Sequence, residues 1–450
     1  MKDPLLKLLP KNRKDTYTYC LIAVAFLPLI YLMFGRIISY LTLNIILLLI
    51  FCVIFIMKIT HMVIYKEKTD KFHSLAVIFM IAMFVWIFIS SFFAFNKEVT
   101  WLGVNDGWHC EDSVWQYMFY FAVAIIALNM KRENIKYIMS VFITVACIVI
   151  VIQFQKGDYN YGFINRNHTG YYLCMTSMLA AGMFMFSKKW LSTCLLFIAI
   201  GLHFASLTLN GSFGPVIGLL AYFLIGVIYL IIHKRHLIVK FNIVFLSFVM
   251  IFAIFDYVPK VKDLKTEPET TIEKVVGLSV VVLNKLGIIS QESYENIELA
   301  PGSDGYSRWR MWGRSLENIK EMPLFGTGVG GWKLYNPDMP NPKPHNEFLQ
   351  YAATAGIPTL LAYLALILYI FIKYRKTHKD STKICFIVMG ALFVYLVQSI
   401  FGNVMPFTAP LFFILIGIVI KELDFKENDL PVDENQNEHI EDLIENEKNS

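Results

Sequence analysis

The chain has 450 residues, of which 56% are hydrophobic and 17% charged, and its mean hydropathy is +0.54. A water-soluble protein of this length exposes far more charge, so the composition excludes that class and indicates a membrane protein. The net charge of +5 is modest, and the basic residues flank apolar runs instead of forming a patch, so nucleic acid is not expected as a partner.

In chain order, the first twenty residues are basic and lead into a full-length apolar run, as in an uncleaved anchor rather than a cleaved signal peptide. Apolar runs long enough to cross a bilayer as helices are expected at 17–35, 37–57, 74–95, 114–130, 135–153, 168–187, 189–209, 214–233 and 238–256. Three more follow at 357–373, 383–401 and 404–421. The expectation is therefore an all-α polytopic membrane protein of about twelve transmembrane helices. Residues 1–256 hold helices 1–9 and residues 357–421 hold helices 10–12. Between them lies a large outer loop, 257–356, and an acidic cytoplasmic tail occupies 422–450. His203 is the clearest ionisable residue inside a run and is expected to be a bonded interior histidine.

The charges between the runs alternate. The N-terminus and the even-numbered connections carry 22 Lys and Arg, and the odd-numbered short connections only Arg36, Lys97, Lys156 and Arg166. Positive loops stay in the cytoplasm, so both termini are expected inside and the long loop outside. A structureless loop of that length would be unusual, which makes it a folded or functional segment. Within it, residues 274–289 are apolar but short for a span and contain lysine, as suits a helix lying on the bundle or at the interface. The seven cysteines fall mostly in apolar runs, with only Cys110 in an outer connection, so no disulfide framework is indicated. Metal-ligand spacings such as CxxC or HExxH are absent from the sequence.

The most informative stretch is 307–370. Trp309, Trp312, Leu316 and Ile319 recur at helical spacing and predict one apolar face. Arg310 and Arg314 stack on the far side near Glu317 and Glu321, as a salt-bridged, solvated surface would. Arg308 flanks the tryptophan stripe with no acidic residue one turn on, which makes it the best anion ligand of the three. The run GTGVGGW (326–332) follows Pro323 rather than a strand, so a turn that passes close to other backbone is a better account than a nucleotide loop. After Pro344 a helix is expected from about His345 to Gly356. In its first turn, the positive end of the helix dipole keeps an imidazole neutral and suited to accept a proton, and the same amides attract a diphosphate.

Taken together, Arg308, Trp312, Pro323, Leu324, Gly326, Gly328, His345, Asn346, Leu349, Gln350, Gly356, Ile357 and Pro358 resemble the signature of the O-antigen ligase and polymerase superfamily. The layout of nine spans, a long outer loop and three spans is similar to that family too, as is GFINRNHTGYYL at 162–173. Where the family often has an arginine after the seventh span, this chain has Phe213 in NGSFGP.

The resemblance implies a metal-independent, inverting glycosyltransferase of the C-type all-helical fold, with no cofactor. Its donor would be an undecaprenyl-diphosphate-linked glycan and its acceptor a sugar or lipid. The setting would be the cytoplasmic membrane of a bacterium, in cell-surface polysaccharide biosynthesis. His345 is then expected as general base and Arg308 as the ligand of the leaving diphosphate, with Arg166, Arg310 and Arg314 as further substrate-binding candidates. Asn346 either orients the acceptor or His345, or caps the helix. Polymerase and ligase share this machinery. An oligosaccharyltransferase of the same superfamily and, in a different class, a polysaccharide flippase are the alternatives. A flippase would place ionisable residues and broken helices near the bilayer midplane.

Overall fold

The computed structural model describes residues 15–34, 40–65, 74–103, 112–163, 165–257, 304–377 and 382–424. The predicted helix at 274–289, Cys110, the basic N-terminus and residues 425–450 lie outside these. Among the described residues the regular structure is all helical.

Helices fall within each of the twelve intervals expected from the sequence, two of them in the first, and the last begins only at Ala409. The elements are α1 (Thr16–Ala25), α2 (Leu27–Phe34), α3 (Tyr40–Tyr65), α4 (Leu75–Ser90), α6 (Val114–Asn129), α7 (Ile135–Lys156), α8 (Arg166–Phe186), α9 (Trp190–Asn210), α10 (Phe213–His233) and α11 (Ile238–Tyr257), with the short α5 (Lys97–Leu102) after α4. The outer segment adds α12 (Asp304–Glu321), α13 (Trp332–Tyr335) and α14 (Glu347–Ala355), and α15 (Ile357–Lys376), α16 (Lys383–Ser399) and α17 (Ala409–Asp424) follow. Among the described residues, six helices are long and apolar enough to cross a membrane, at 75–93, 132–156, 190–210, 213–233, 235–255 and 357–376. The pair α1–α2, bent by 46°, makes a seventh if it counts as one span. Shorter apolar helices occupy 42–56, 114–129 and 383–399.

Two further helices are not among these and sit inside the bundle: α8, which is rich in polar residues, and α17, which is 16 residues long and ends in Lys421, Glu422 and Asp424. Helix α8 is buried on nearly every residue from His168 to Met185 and is packed by α7, α9, α10 and α16. With no face toward lipid it tolerates Asn, Thr, Tyr and Ser. Helix α17 is buried along almost its whole length and packs chiefly on α6. A helix surrounded on all sides is a core helix. Within α9, His203 bonds the Ala199 carbonyl (2.7 Å) and the Thr176 hydroxyl (3.0 Å), the interior role expected from the sequence.

Residues 421–424 belong to the last turn of α17 and not to the acidic tail. Glu422 is buried there and takes a forked bond from Arg132, at 2.7 and 3.2 Å. This bond ties α17 to the start of α7.

Candidate active site

Helix α12 presents a different face to the protein from the one its tryptophans suggest. Met311, Ser315 and Asn318 are buried, whereas Leu316 is 51% exposed. The reason is a polar contact: the buried Trp332 indole donates to Ser315 Oγ (3.1 Å), and Ser315 donates to the Met311 carbonyl (2.8 Å). A buried indole N–H needs an acceptor, and this one rotates the helix to find it. Arg310 is exposed. Arg314 bonds Glu317 at 2.8 Å and Asp338 at 3.4 Å, a solvated ion-pair cluster as the spacing suggested. Glu321 instead accepts from the Tyr335 hydroxyl at 2.6 Å.

Arg308 stands on the inner side of α12. Its Nη1 donates to the Phe401 carbonyl at 3.1 Å. That acceptor is neutral, and among the described residues no carboxylate pairs with Arg308. One turn on, the Trp312 indole donates to the His345 carbonyl (3.3 Å).

The glycine run does what a close backbone passage requires. Thr327 and Gly328 donate to the carbonyls of Ala353 and Thr354, each at 2.9 Å, and Ile357 donates to Pro323 (2.8 Å). Gly326 and Gly356 have φ of +64° and +87°, and a Cβ on Gly356 would lie 1.8 Å from the Leu324 carbonyl oxygen. The Trp86 indole, from α4, donates to the same oxygen (2.9 Å) and its ring stacks on Phe325. The outer segment is thereby fixed to the end of α4 and to α14.

His345 is not in the first turn of α14. The helix begins at Glu347 with Asn346 as its N-cap, the Asn346 side chain accepting from Leu349 N–H at 3.0 Å. Asn346 therefore takes the capping place. His345 precedes the cap at φ +55°, a left-handed conformation that is uncommon outside glycine and marks functional positions. Two bonds and the start of the helix impose it. Its carbonyl is held by Trp312, its N–H donates to Asn403 Oδ1 (2.7 Å), and the helix starts directly behind it.

The connection 400–408, between α16 and α17, is therefore the common anchor. Phe401 takes Arg308 and Asn403 takes His345, two residues apart. Helix α8 brings its N-terminus to the same place. His168 is buried with its ring 5.2 Å from Phe407. Tyr171 donates to the Gln398 carbonyl (2.9 Å) and senses both Arg308 and Glu347. Arg166, the first residue of α8, is exposed at this end. Phe213, at the position where the resemblance suggests arginine, packs against the ring of Phe401 (5.8 Å).

Four polar residues of the site were not singled out in the sequence. Asp112 and Lys343 form a buried ion pair at 2.7 Å. Asn403 orients His345. Glu347 is wholly buried and accepts from Tyr363 (3.0 Å) and Tyr395 (2.8 Å). Burial pushes the Glu347 carboxyl up to about 7, with the phenols pulling the other way. Burial likewise raises Asp112, against the pull of Lys343 and Gln350. A signal existed: Glu347, Gln350, Tyr351 and Thr354 recur at helical spacing and form the buried face of α14.

Residues 195–364 match the family model described as O-antigen ligase. The chain is also similar to an uncharacterized protein of Haemophilus influenzae, 26% identical over 366 residues that cover 74% of this chain and 85% of the relative. The matched region holds Arg308, Lys343, His345 and Glu347; Arg166, His168 and Asn403 join the site from outside it. The match over residues 195–364 bears out the resemblance to the O-antigen ligase and polymerase superfamily.

Proposed function

We propose that the chain is a membrane glycosyltransferase. It moves a glycan from an undecaprenyl-diphosphate carrier, on the outer face of the cytoplasmic membrane, to a sugar or lipid acceptor, as polysaccharide polymerases and ligases do. The observation that carries the reading is the shared anchor: the Phe401 carbonyl holds Arg308 and the Asn403 side chain holds His345. One short connection thus holds the Arg308 guanidinium and the His345 backbone two residues apart, and a cation and a base brought to one place are what a substitution with a diphosphate leaving group needs.

In this reading His345 takes the proton of the acceptor hydroxyl as the oxygen attacks the anomeric carbon. The bond from that carbon to the diphosphate oxygen breaks, and its electron pair leaves with the diphosphate. The configuration inverts, and the proton stays on the imidazole. Arg308 offsets the growing negative charge with a planar fork suited to phosphate oxygens. Arg166, at the outer end of α8, is a second cation within the same region, and the exposed Arg310 and Arg314 lie farther along α12 as outlying contacts for the glycan. In this reading twelve spans with both termini cytoplasmic turn the site toward the outer face, where the lipid-linked donor is presented, and the alternating charge of the connections supports that orientation.

Purified protein in liposomes, supplied with lipid-diphosphate glycan and a metal chelator, is expected to form a new glycosidic bond. His345→Ala should lower turnover by roughly a hundredfold or more while donor binding persists. Near-normal turnover of that variant would remove His345 from the role of base. Movement of labelled lipid across the bilayer with no new bond would identify a flippase instead.

A further inference from the structure

Beneath His345 lies a closed ring of buried polar contacts. Lys343 Nζ is 2.7 Å from Asp112 Oδ2 and donates to the Val404 carbonyl at 3.2 Å. Gln350 Nε2 donates to the same Asp112 oxygen at 3.0 Å, and Val404 N–H donates back to Gln350 Oε1 at 2.9 Å. Lys343 is 8% exposed, Asp112 4%, Gln350 1% and Val404 fully buried. Three separate parts of the chain meet here: the residues leading into α6, the turn and helix around His345, and the connection 400–408.

Stability alone is a poor explanation for such a ring. Removing two charges from water is costly, and an apolar pair of similar volume commonly stabilises a fold as well or better. What the ring supplies is a fixed distance. Lys343 and Gln350 flank His345 in sequence, and Val404 directly follows Asn403, whose side chain binds the His345 N–H. Locking Val404 to both flanks leaves Asn403 one position in which to meet that N–H. The same connection carries the Phe401 carbonyl that holds Arg308.

We infer that Asp112, Lys343 and Gln350 are positioning residues, a buried clamp that sets His345 against Arg308. The inference rests on the reading of His345 as general base. It is tested on the full-length protein in lipid nanodiscs with the double variant Asp112→Leu/Lys343→Met, which removes both charges together. The variant should unfold near the parent's temperature, yet kcat should fall about a hundredfold, as expected for a misplaced base, with KM held within about twofold.

Hydrogen exchange gives a readout independent of turnover. The amides of His345 and Val404 should exchange faster in the variant, while those of α8 stay as in the parent. If the double variant fails to fold, Gln350→Leu keeps the ion pair and cuts only the bonds to Asp112 and Val404. It should show the same faster exchange at Val404 and a smaller loss of kcat. Parent-like kcat with parent-like exchange in either variant would overturn the clamp. A parent protein that forms no glycosidic bond at all would overturn the proposed function, and the exchange measurement would still decide whether the clamp exists.

Discussion

Arg308 and Glu347 are opposite cases of a charge near the site. Arg308 meets a neutral acceptor, the Phe401 carbonyl. A lysine there would preserve the charge and lose the fork, so Arg308→Lys is expected to lower kcat roughly tenfold or more with the fold intact. Turnover equal to the parent's would make Arg308 structural. Glu347 holds its carboxyl up to about 7 because burial opposes its charge, against an ordinary value of 4.5. Between those values the folded protein binds a proton that the unfolded chain has released. Stability should therefore rise as pH falls from 8 towards 5, and be lost again as pH climbs through 7. Glu347→Gln should raise the unfolding temperature at pH 8 and flatten this slope, leaving the part due to Asp112, which burial shifts the same way. Parallel curves for parent and variant, from thermal unfolding at pH 5, 6, 7 and 8, would assign the slope elsewhere. Of these residues only Arg308 was legible in the sequence, because a lone arginine beside a tryptophan stripe stands out. Glu347 was not, since a glutamate in the first turn of a helix has an ordinary explanation in the dipole.

At the scale of elements, the turns of the outer segment were readable and the faces were not. Glycines that follow Pro323 announce a close backbone passage, and the structure supplies it at Gly326 and Gly356. The orientation of α12 depends on Ser315 meeting Trp332, seventeen positions away, which periodicity does not reveal. The start of α14 slipped by two residues for a similar reason. His345 is held out of the helix by Trp312 and Asn403, both distant in sequence. The glycines allow a graded test. Gly356→Ala would place a Cβ 1.8 Å from the Leu324 oxygen at a positive φ, so backbone must move, and a loss of roughly 3 kcal/mol or more is expected. Gly157 has a similar φ of +64° with nothing within 4 Å, so Gly157→Ala should cost only about 1 kcal/mol. Both are read from unfolding in detergent. Equal effects would mean that the close passage at 356 yields freely.

Across the whole molecule, two polar assemblies hold opposite ends of the bundle. At one end Arg132 and Glu422 join α7 to α17. At the other, the connection 400–408 gathers α8, α12 and the residues around His345. The helices between them were legible because lipid permits only apolar surfaces, and helices fall within each expected interval. Helix α8 shows where that logic weakens: surrounded by protein, it answers to packing and not to lipid, and it carries Asn, Thr, Tyr and Ser where a lipid-facing span would be apolar. The direction of the bundle is a separate matter and follows from charge alone. If the basic connections are cytoplasmic, Glu317 on the exposed side of α12 faces outward and Lys234, between α10 and α11, faces inward. In a variant whose native cysteines are replaced, Glu317→Cys should react with a membrane-impermeant maleimide on intact cells. Lys234→Cys should react only after the membrane is opened. The reverse pattern would put the Arg308–His345 region on the cytoplasmic side, where a donor presented on the outer face never meets it.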